Sequence, residues 1–297
     1  MRNIFLAAFL AVAFIIAMIT QAQNANAANY VFAYNSNSNI AGMVNKAGGV
    51  LLRNHPEIGV AIASSNDSNF AANLKKNSKV LWAEQDVTVQ WLPNQPLSKV
   101  NEQFNPPSAA ADPQDAFFLP FQWSIFITHT DEAWNVTQGD PAVKVAVLDS
   151  GICTHHIDTA GKVDEAESTS FVTETDPDCV AAEAACPTCP TWEDYRFHGT
   201  AVASLISTNN LGIAGVAPNV RLRAVKVLSC GGSGSFGGII SGILYATLTG
   251  NQIINMSLGA YGSKVASGNL ISALNRGAQL CEKQWSAGSF CCRKQCS

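Results

Sequence analysis

The chain has few charged residues and no excess of basic ones. Of its 297 residues, 13% are charged and 47% are hydrophobic, and the formal net charge is −4. Disordered chains carry more charge and fewer apolar residues, whereas nucleic-acid-binding domains need a basic stripe that neutralises phosphates. The composition therefore indicates a globular protein, long enough for two domains, and argues against a nucleic-acid partner.

The sequence also lacks internal repeats and a complete phosphate-binding motif. Gly231, Gly232 and Gly234 form a glycine-rich loop, but no lysine follows it in the Walker pattern. The G-x-G-x-x-G spacing is incomplete as well, so the loop does not predict a nucleotide site.

The N-terminal segment has the three parts of a secretory signal peptide. Arg2 precedes an apolar run over residues 4–19, and Ala25-Asn26-Ala27 provides a small-x-small cleavage site. We predict cleavage after Ala27, a secreted or periplasmic protein, and conditions that permit disulfides. The alternative is an N-terminal membrane anchor, for which the apolar run is short.

Residues 28–92 form a small unit of their own. Strand-like and helix-like segments alternate there in the order β-α-β-β-α-β, which predicts a small α+β ferredoxin-like domain. Its last strand is predicted over Val80–Val89. Residues 93–121 are rich in proline, asparagine and glutamine, which indicates a linker.

Residues 122–280 follow the pattern of an α/β protein. A nearly continuous apolar strand is predicted over 143–148, an alternating strand over 221–228 and a third strand over 252–257, with helices over 237–249 and 268–280. Strands that alternate with helices predict a doubly wound parallel sheet with right-handed crossovers.

Two residues of this region predict acid–base chemistry as a pair. Asp149 directly follows the strand in "VKVAVLDSGI", and His198 opens the helix in "HGTAVASLIS". Reacting groups gather at the carboxyl ends of strands in such sheets, so the carboxylate could orient the imidazole and stabilise its charged form. Taken singly, Asp149 could instead be a turn or cap residue and His198 a structural histidine.

A peptide-binding edge is predicted beside this pair. Asn255-Met256-Ser257-Leu258-Gly259 ends the third strand and leaves backbone groups free. An extended peptide could add there as a further strand through main-chain hydrogen bonds. The glycine-rich loop at Gly232 and Gly234 could flank the peptide on its other side.

These segments together resemble the subtilisin-like serine proteases, the subtilases (peptidase S8). The resemblance rests on "VAVLDSGI", "HGTAVAS", "GVAP", the "KVL" strand with its glycine loop and "NMSLG", in the order that the family shows. Residues 28–92 similarly resemble the family's inhibitory propeptide. Ser150 departs from the threonine that the family usually has, and we expect little consequence because both side chains carry a hydroxyl.

The resemblance implies a subtilisin-like fold and a secreted serine endopeptidase precursor that acts on polypeptides. Asp149 would orient His198, the general base and then the general acid, and residues 28–92 would inhibit the protease until removed. The resemblance requires no cofactor but allows structural calcium. The implied cleft residues are Ser257, Leu258, Gly259, Gly232 and Gly234, and the candidate calcium ligands are Asp176, Asp178 and Glu183.

The last segment, 281–297, departs from the family. The family continues with an "AAGN" strand end and a G-T-S-M-A-like helix start, which supply the oxyanion asparagine and the nucleophilic serine. Neither occurs here. Because a one-base shift in the codons after Leu280 restores an "AAGN"-like strand, we expect a one-base insertion or a sequencing error near the Leu280/Cys281 codons. The tail would then be frameshifted and the chain truncated and inactive, with an incomplete sheet. For the tail, the alternative is a genuine cysteine-rich segment. For the function, the alternative is a non-catalytic secreted binding or inhibitor protein, or a pseudogene product.

Five cysteines precede this tail: Cys153, Cys179, Cys186, Cys189 and Cys230. Export favours disulfides among them, although Cys186-Pro-Thr-Cys189 could also be half a zinc site or a redox motif. Because five is odd, either Cys230 is a free thiol or one cysteine has its partner in the missing region.

Overall fold

The computed structural model describes residues 27–35, 39–93, 122–261 and 264–285. The chain divides into two compact units. The first contains the residues up to Val87 together with 267–273, and the second contains 88–266 and the residues from Leu274 onward. Almost all of the predicted signal peptide and linker, and the tail beyond Trp285, lie outside the described residues.

The first unit contains a four-stranded antiparallel sheet and two helices. Its elements are β1 (Ala28–Tyr34), α1 (Ile40–Lys46), β2 (Val50–His55), β3 (Val60–Ser65), α2 (Phe70–Lys75) and β4 (Val80–Gln85). The strand order is β2-β3-β1-β4, which is the split β-α-β-β-α-β arrangement that the sequence predicts. The helices pack on the sheet through apolar side chains, including Phe32 of β1, Val44 of α1 and Phe70 of α2.

The prediction of a single strand over Val80–Val89 is wrong. β4 ends at Gln85, and Asp86 and Val87 separate it from β5 (Thr88–Gln90). Aspartate is disfavoured in strands, and β5 pairs antiparallel with β9 (Ser233–Ser235) of the second unit, to which it belongs. The division of the chain therefore falls between Val87 and Thr88, whereas the sequence placed a boundary after Leu92.

The second unit is built on a parallel sheet, as predicted for an α/β protein. Its strands are β6 (Lys144–Asp149), β7 (Thr169–Ser170), β8 (Arg221–Lys226) and β10 (Ile253–Asn255), in the order β10-β6-β8-β7. The four residues 145–148 of β6 are all buried, because this strand lies inside the sheet and both of its faces are covered.

Helices precede, connect and follow these strands along the chain. They are α3 (Trp123–Ile127), α4 (Thr130–Ala133), α5 (Pro177–Ala185), α6 (His198–Ile206), α7 (Phe236–Leu248) and α8 (Lys264–Trp285). α7 is buried along most of its length, and Gly242 lets it approach Val227 so closely that a Cβ there would overlap that side chain. No helix in the described part of the chain is both long and apolar enough to cross a bilayer.

In the second unit, two disulfides join cysteines that both lie among the described residues. Cys179 of α5 is bonded to Cys230, and Cys186 is bonded to Cys189. Among the described cysteines the free thiol is that of Cys153. The suggestion that Cys230 is the free thiol is therefore wrong, because α5 brings Cys179 to within a Cα–Cα distance of 5.8 Å of it.

Candidate active site

Asp149 is the last residue of β6, an interior strand of the parallel sheet. Its side chain is fully buried. The Oδ1 atom accepts a hydrogen bond of 2.7 Å from the backbone N–H of Ser150. The backbone carbonyl of Asp149 accepts bonds from Val227 and Leu228, which follow β8. The carboxylate is therefore held rigidly at the carboxyl edge of the sheet, where ligands bind in this class of fold.

His198 is the first residue of α6, and its Nδ1 lies 2.8 Å from Oδ1 of Asp149. A carboxylate only accepts hydrogen bonds, so Nδ1–H is the donor and Nε2 is left with a lone pair. The imidazole is 25% exposed, whereas the carboxylate is fully covered. The structure thus brings together the two residues that the sequence singled out, with one ring nitrogen directed to the carboxylate and the ring partly open to solvent.

The pKa of His198 lies above its ordinary value of 6.5. The main cause is the hydrogen bond to Asp149, which favours the imidazolium, and the charges of Asp149 and Asp194 act in the same direction. Partial burial and the positive charge of Arg196 lower the pKa and oppose this effect. The site thus stabilises the protonated form of the ring, which a general base must form during its reaction.

Gly199 and Gly151 let α6 approach the end of β6. A Cβ on Gly199 would overlap the carbonyl oxygen of Gly151, and Gly151 itself has a φ of +117°. The backbone that comes this close to Gly199 belongs to the turn after Asp149. A larger residue at 199 would push the imidazole away from the carboxylate.

The glycine-rich loop lies against an extended segment of the chain itself. Val89 of β5 pairs with Gly234 of β9, and the carbonyl of Gly232 accepts bonds from the N–H groups of Trp91 (3.0 Å) and Leu92 (3.2 Å). On the other side, the N–H of Gly259 donates to the carbonyl of Trp91 over 3.2 Å. Residues 88–92 of the chain therefore lie as an extended segment between the two edges that the sequence predicts to bind a peptide.

Trp91 anchors this segment. Its side chain is buried, its Nε1–H donates to the carbonyl of Gly234 over 2.8 Å, and its ring contacts Phe236 edge-on with centroids 5.4 Å apart. Leu92 is buried too. Of the other predicted cleft residues, Leu258 is half-buried, while Ser257 is exposed and accepts a hydrogen bond from Asn255.

The three candidate calcium ligands do not come together. Asp176 caps α5 by accepting from the N–H of Asp178 (2.9 Å), while Glu183 faces Lys226. Among the described residues, the cluster of donor atoms that could hold a metal is formed by His155, Cys189 and Glu193, and Cys189 is already in a disulfide. The structure therefore does not group these three carboxylates as a calcium site.

Sequence reasoning missed Asp194, a buried carboxylate four residues before His198. Its side chain accepts hydrogen bonds from Ser150, from the loop before α6 and from Thr200. The available signal was an aspartate just ahead of a predicted helix start, which is typical of a capping residue. Both the loop before His198 and the turn after Asp149 depend on this side chain.

The match to a known family covers this site. Residues 140–289 match the model of the Subtilase family, peptidase S8. This chain belongs to the subtilases. It is 35% identical over 209 residues to the thermophilic serine proteinase of Bacillus sp. (strain AK1), a match that covers 68% of this chain and 46% of that protein. It is 31% identical over 163 residues to thermitase of Thermoactinomyces vulgaris, covering 55% of this chain and 52% of thermitase.

Solved structures show the same subtilase fold. The epidermin leader peptide processing serine protease of Staphylococcus aureus aligns with a TM-score of 0.64 at 20% identity, covering 87% of this chain and 58% of that one. Fervidolysin from Fervidobacterium pennivorans aligns with a TM-score of 0.58 at 19% identity, covering 86% of this chain and 38% of that one. This subtilase thus spans about half of the length of the first curated relatives it matches.

Proposed function

We propose that the gene encodes a secreted serine endopeptidase precursor in which Asp149 and His198 are two members of a catalytic triad. The 2.8 Å contact between His198 Nδ1 and Asp149 Oδ1 at the carboxyl edge of the sheet is the observation that carries this proposal. The extended segment in the adjacent cleft supports polypeptide substrates, because a substrate strand would use the same main-chain hydrogen bonds.

In this proposal His198 moves the proton and Asp149 holds the ring. Nε2 takes the proton from a serine hydroxyl as that oxygen attacks the scissile carbonyl, and then gives it to the leaving amine. Asp149 keeps Nδ1 protonated, so that Nε2 is the basic nitrogen, and stabilises the imidazolium between the two steps. No step in this sequence needs a metal ion or an organic cofactor.

The N-terminal segments have separate proposed roles. Residues 1–27 direct export and are removed. Residues 28–92 act as an inhibitory propeptide, and the segment from Thr88 to Leu92 would block the cleft in the manner of a bound substrate. The antiparallel pairing of β5 with β9 and the burial of Trp91 support this role.

A protein of this exact sequence is proposed to be inactive. The sequence contains neither a G-T-S-M-A-like block nor an "AAGN" strand end, which supply the nucleophile and the oxyanion donor in the family. In subtilisin itself, removal of the nucleophile lowers kcat about 2 × 10⁶-fold, a value measured on that relative. A one-base shift after Leu280 is the proposed cause of the loss.

The test is to sequence the gene across the codons after Leu280 and to express both the printed chain and the restored frame. We expect the printed chain to be inactive, and the restored protein to hydrolyse peptides and to lose that activity in His198→Ala and in Asp149→Ala. A restored protein whose peptidase activity survives His198→Ala contradicts the proposed site. An unshifted gene with no downstream G-T-S-M-A-like block contradicts the enzyme and favours a non-catalytic binding or inhibitor protein, or a pseudogene product.

A further inference from the structure

Asp194 is a buried carboxylate for which the proposed triad chemistry has no use. Asp194 lies in the loop before α6 and is 2% exposed. Among the hydrogen bonds of the described residues, none joins Asp194 to the imidazole of His198, which is bonded to Asp149. We infer that Asp194 is a positioning residue that holds Asp149 and His198 in contact, acting through the hydroxyl of Ser150. This inference rests on the proposed roles of Asp149 and His198.

The carboxylate of Asp194 is surrounded by donors. Its Oδ1 accepts from Ser150 Oγ (2.9 Å) and from the N–H groups of Arg196 (3.0 Å) and Phe197 (2.9 Å). Its Oδ2 accepts from the N–H (2.8 Å) and the hydroxyl (2.7 Å) of Thr200. Five donors on one buried carboxylate join the turn after β6, the loop before α6 and the first turn of α6.

The loop that these bonds hold is in an unfavourable conformation. Phe197, directly before His198, has a φ of +67°, which is a left-handed backbone that bulky residues rarely adopt. The bond from its N–H to Asp194 fixes this conformation. The conformation in turn sets the direction in which α6 begins and so the direction of the His198 side chain.

Ser150 connects this loop to the catalytic carboxylate. Its hydroxyl donates to Asp194 and accepts from the N–H of Gly199 over 3.0 Å, while its backbone N–H donates to Oδ1 of Asp149. The side chain of Ser150 therefore bridges Asp194 and Gly199, the residue after His198, while the backbone of the same residue donates to Asp149. Either serine or threonine supplies the hydroxyl, which explains why Ser150 can replace the threonine that the family usually has.

A test must separate this positioning effect from the direct effect of charge. The charged groups that act on His198 are Asp149, Asp194 and Arg196, and the negative charge of Asp194 raises the pKa of His198 through space. Asp194→Asn removes that charge together with the acceptor that Thr200 uses, so it changes charge and hydrogen bonding at once. Ser150→Ala removes no charge, so any effect that it has on the imidazole arises from position.

The experiment is an NMR titration of His198 in the full chain, with observation of the Nδ1–H proton bonded to Asp149. We expect Ser150→Ala and Asp194→Asn each to lower the pKa of His198 and to weaken or abolish the Nδ1–H signal. Ser150→Thr should keep both at their wild-type values. Ser204→Ala, which deletes a hydroxyl bonded to Ala201 elsewhere on α6, is the matched control and should change neither.

A Ser150→Ala protein with the wild-type pKa and Nδ1–H signal overturns the inference, and so does a Ser150→Thr protein that behaves like Ser150→Ala. Backbone amide spectra of each variant establish that it is folded. If Asp194→Asn does not fold, Ser150→Ala and Ser150→Thr still decide the question. Failure of the proposed function is read from a different measurement, the peptidase activity of the restored-frame protein and of its His198→Ala variant.

Discussion

At the scale of single residues, the site combines a fully buried carboxylate with a partly exposed imidazole. Asp149 Oδ2 has no hydrogen-bond partner in the described part of the chain. A buried charge is unfavourable unless a partner or hydrogen bonds compensate it. The imidazolium form of His198 supplies that compensation, so proton uptake by the ring stabilises the folded protein.

This coupling predicts a pH dependence of stability. A histidine with a raised pKa in the folded state contributes stability that is fully present below its unfolded pKa of about 6.5 and is lost as pH rises through the folded value. The free energy of unfolding of wild type minus that of His198→Gln should therefore be larger at pH 5.5 than at pH 9. Urea unfolding of both proteins at the two pH values measures this difference in the free energy of unfolding. A difference that is the same at pH 5.5 and pH 9 contradicts the prediction.

Lys226 is a second buried charge, at the end of β8. Its Nζ lies 3.1 Å from Oε1 of Glu174 and donates to the carbonyl of Glu193, and both charged side chains are only 1% exposed. Breaking a buried ion pair leaves one charge without compensation, whereas replacing both partners by apolar residues costs much less.

Lys226→Met should therefore lower the free energy of unfolding by about 3–5 kcal/mol. The double variant Lys226→Met/Glu174→Leu should recover part of this loss, because the buried carboxylate of Glu174 is removed as well, and the remaining Glu183 is 41% exposed. Urea unfolding of the two proteins at neutral pH makes the comparison. A double variant that is less stable than Lys226→Met would show that the pair itself is strongly stabilising.

At the scale of secondary-structure elements, the sequence predicted those strands and helices whose apolar residues form a recognisable pattern. The apolar run of β6 and the helix α7 are confirmed, because burial on a parallel sheet requires such a run. β10 (Ile253–Asn255) is shorter than the strand predicted over 252–257, and of its residues Ile254 is buried. β7 is only two residues long, which is too short to show an alternation of apolar and polar residues, so the sequence did not predict it. The partners of Lys226 and Asp194 are distant carboxylates and backbone N–H groups, which depend on the tertiary fold and leave no mark in a local pattern.

The β5–β9 ribbon depends on one side chain. Trp91 is buried and donates to Gly234, so Trp91→Ala removes both the packing and the hydrogen bond that hold β5. Loss of a buried tryptophan costs about 3 kcal/mol or more, which makes local opening on the order of a hundredfold more frequent. Hydrogen exchange of Thr88–Gln90 should accelerate accordingly.

The matched control for this prediction is Trp123→Ala, because Trp123 is 66% exposed on α3. It should leave exchange in β5 and β9 unchanged. Equal exchange rates in wild type and Trp91→Ala would mean that the backbone bonds alone hold the segment in the cleft.

At the scale of the whole molecule, the disulfides differ in how much chain they constrain. Cys179–Cys230 closes a loop with a sequence separation of 51, and Cys186–Cys189 a loop with a separation of 3. Burial raises the pKa of the Cys153 thiol to about 11. Since the thiolate is the attacking species, exchange of Cys153 with either disulfide is slow at neutral pH.

Removing the long-range disulfide should cost more stability than removing the short one. On the chain-entropy model, Cys179→Ala/Cys230→Ala loses about 4 kcal/mol, and Cys186→Ala/Cys189→Ala less than half of that. Denaturant unfolding of the two double variants gives the comparison. A larger loss in the second variant would mean that the short disulfide holds the insertion by folded-state contacts and not through loop entropy.

The pKa of His198, measured by NMR titration in the wild-type chain and in Asp149→Asn, tests the proposed pair most directly. We predict a wild-type pKa above 6.5 and a lower one in the variant, because the hydrogen bond to Asp149 is the main cause of the rise. A wild-type pKa at or below 6.5 that Asp149→Asn leaves unchanged would contradict the assignment of these two residues as a catalytic pair.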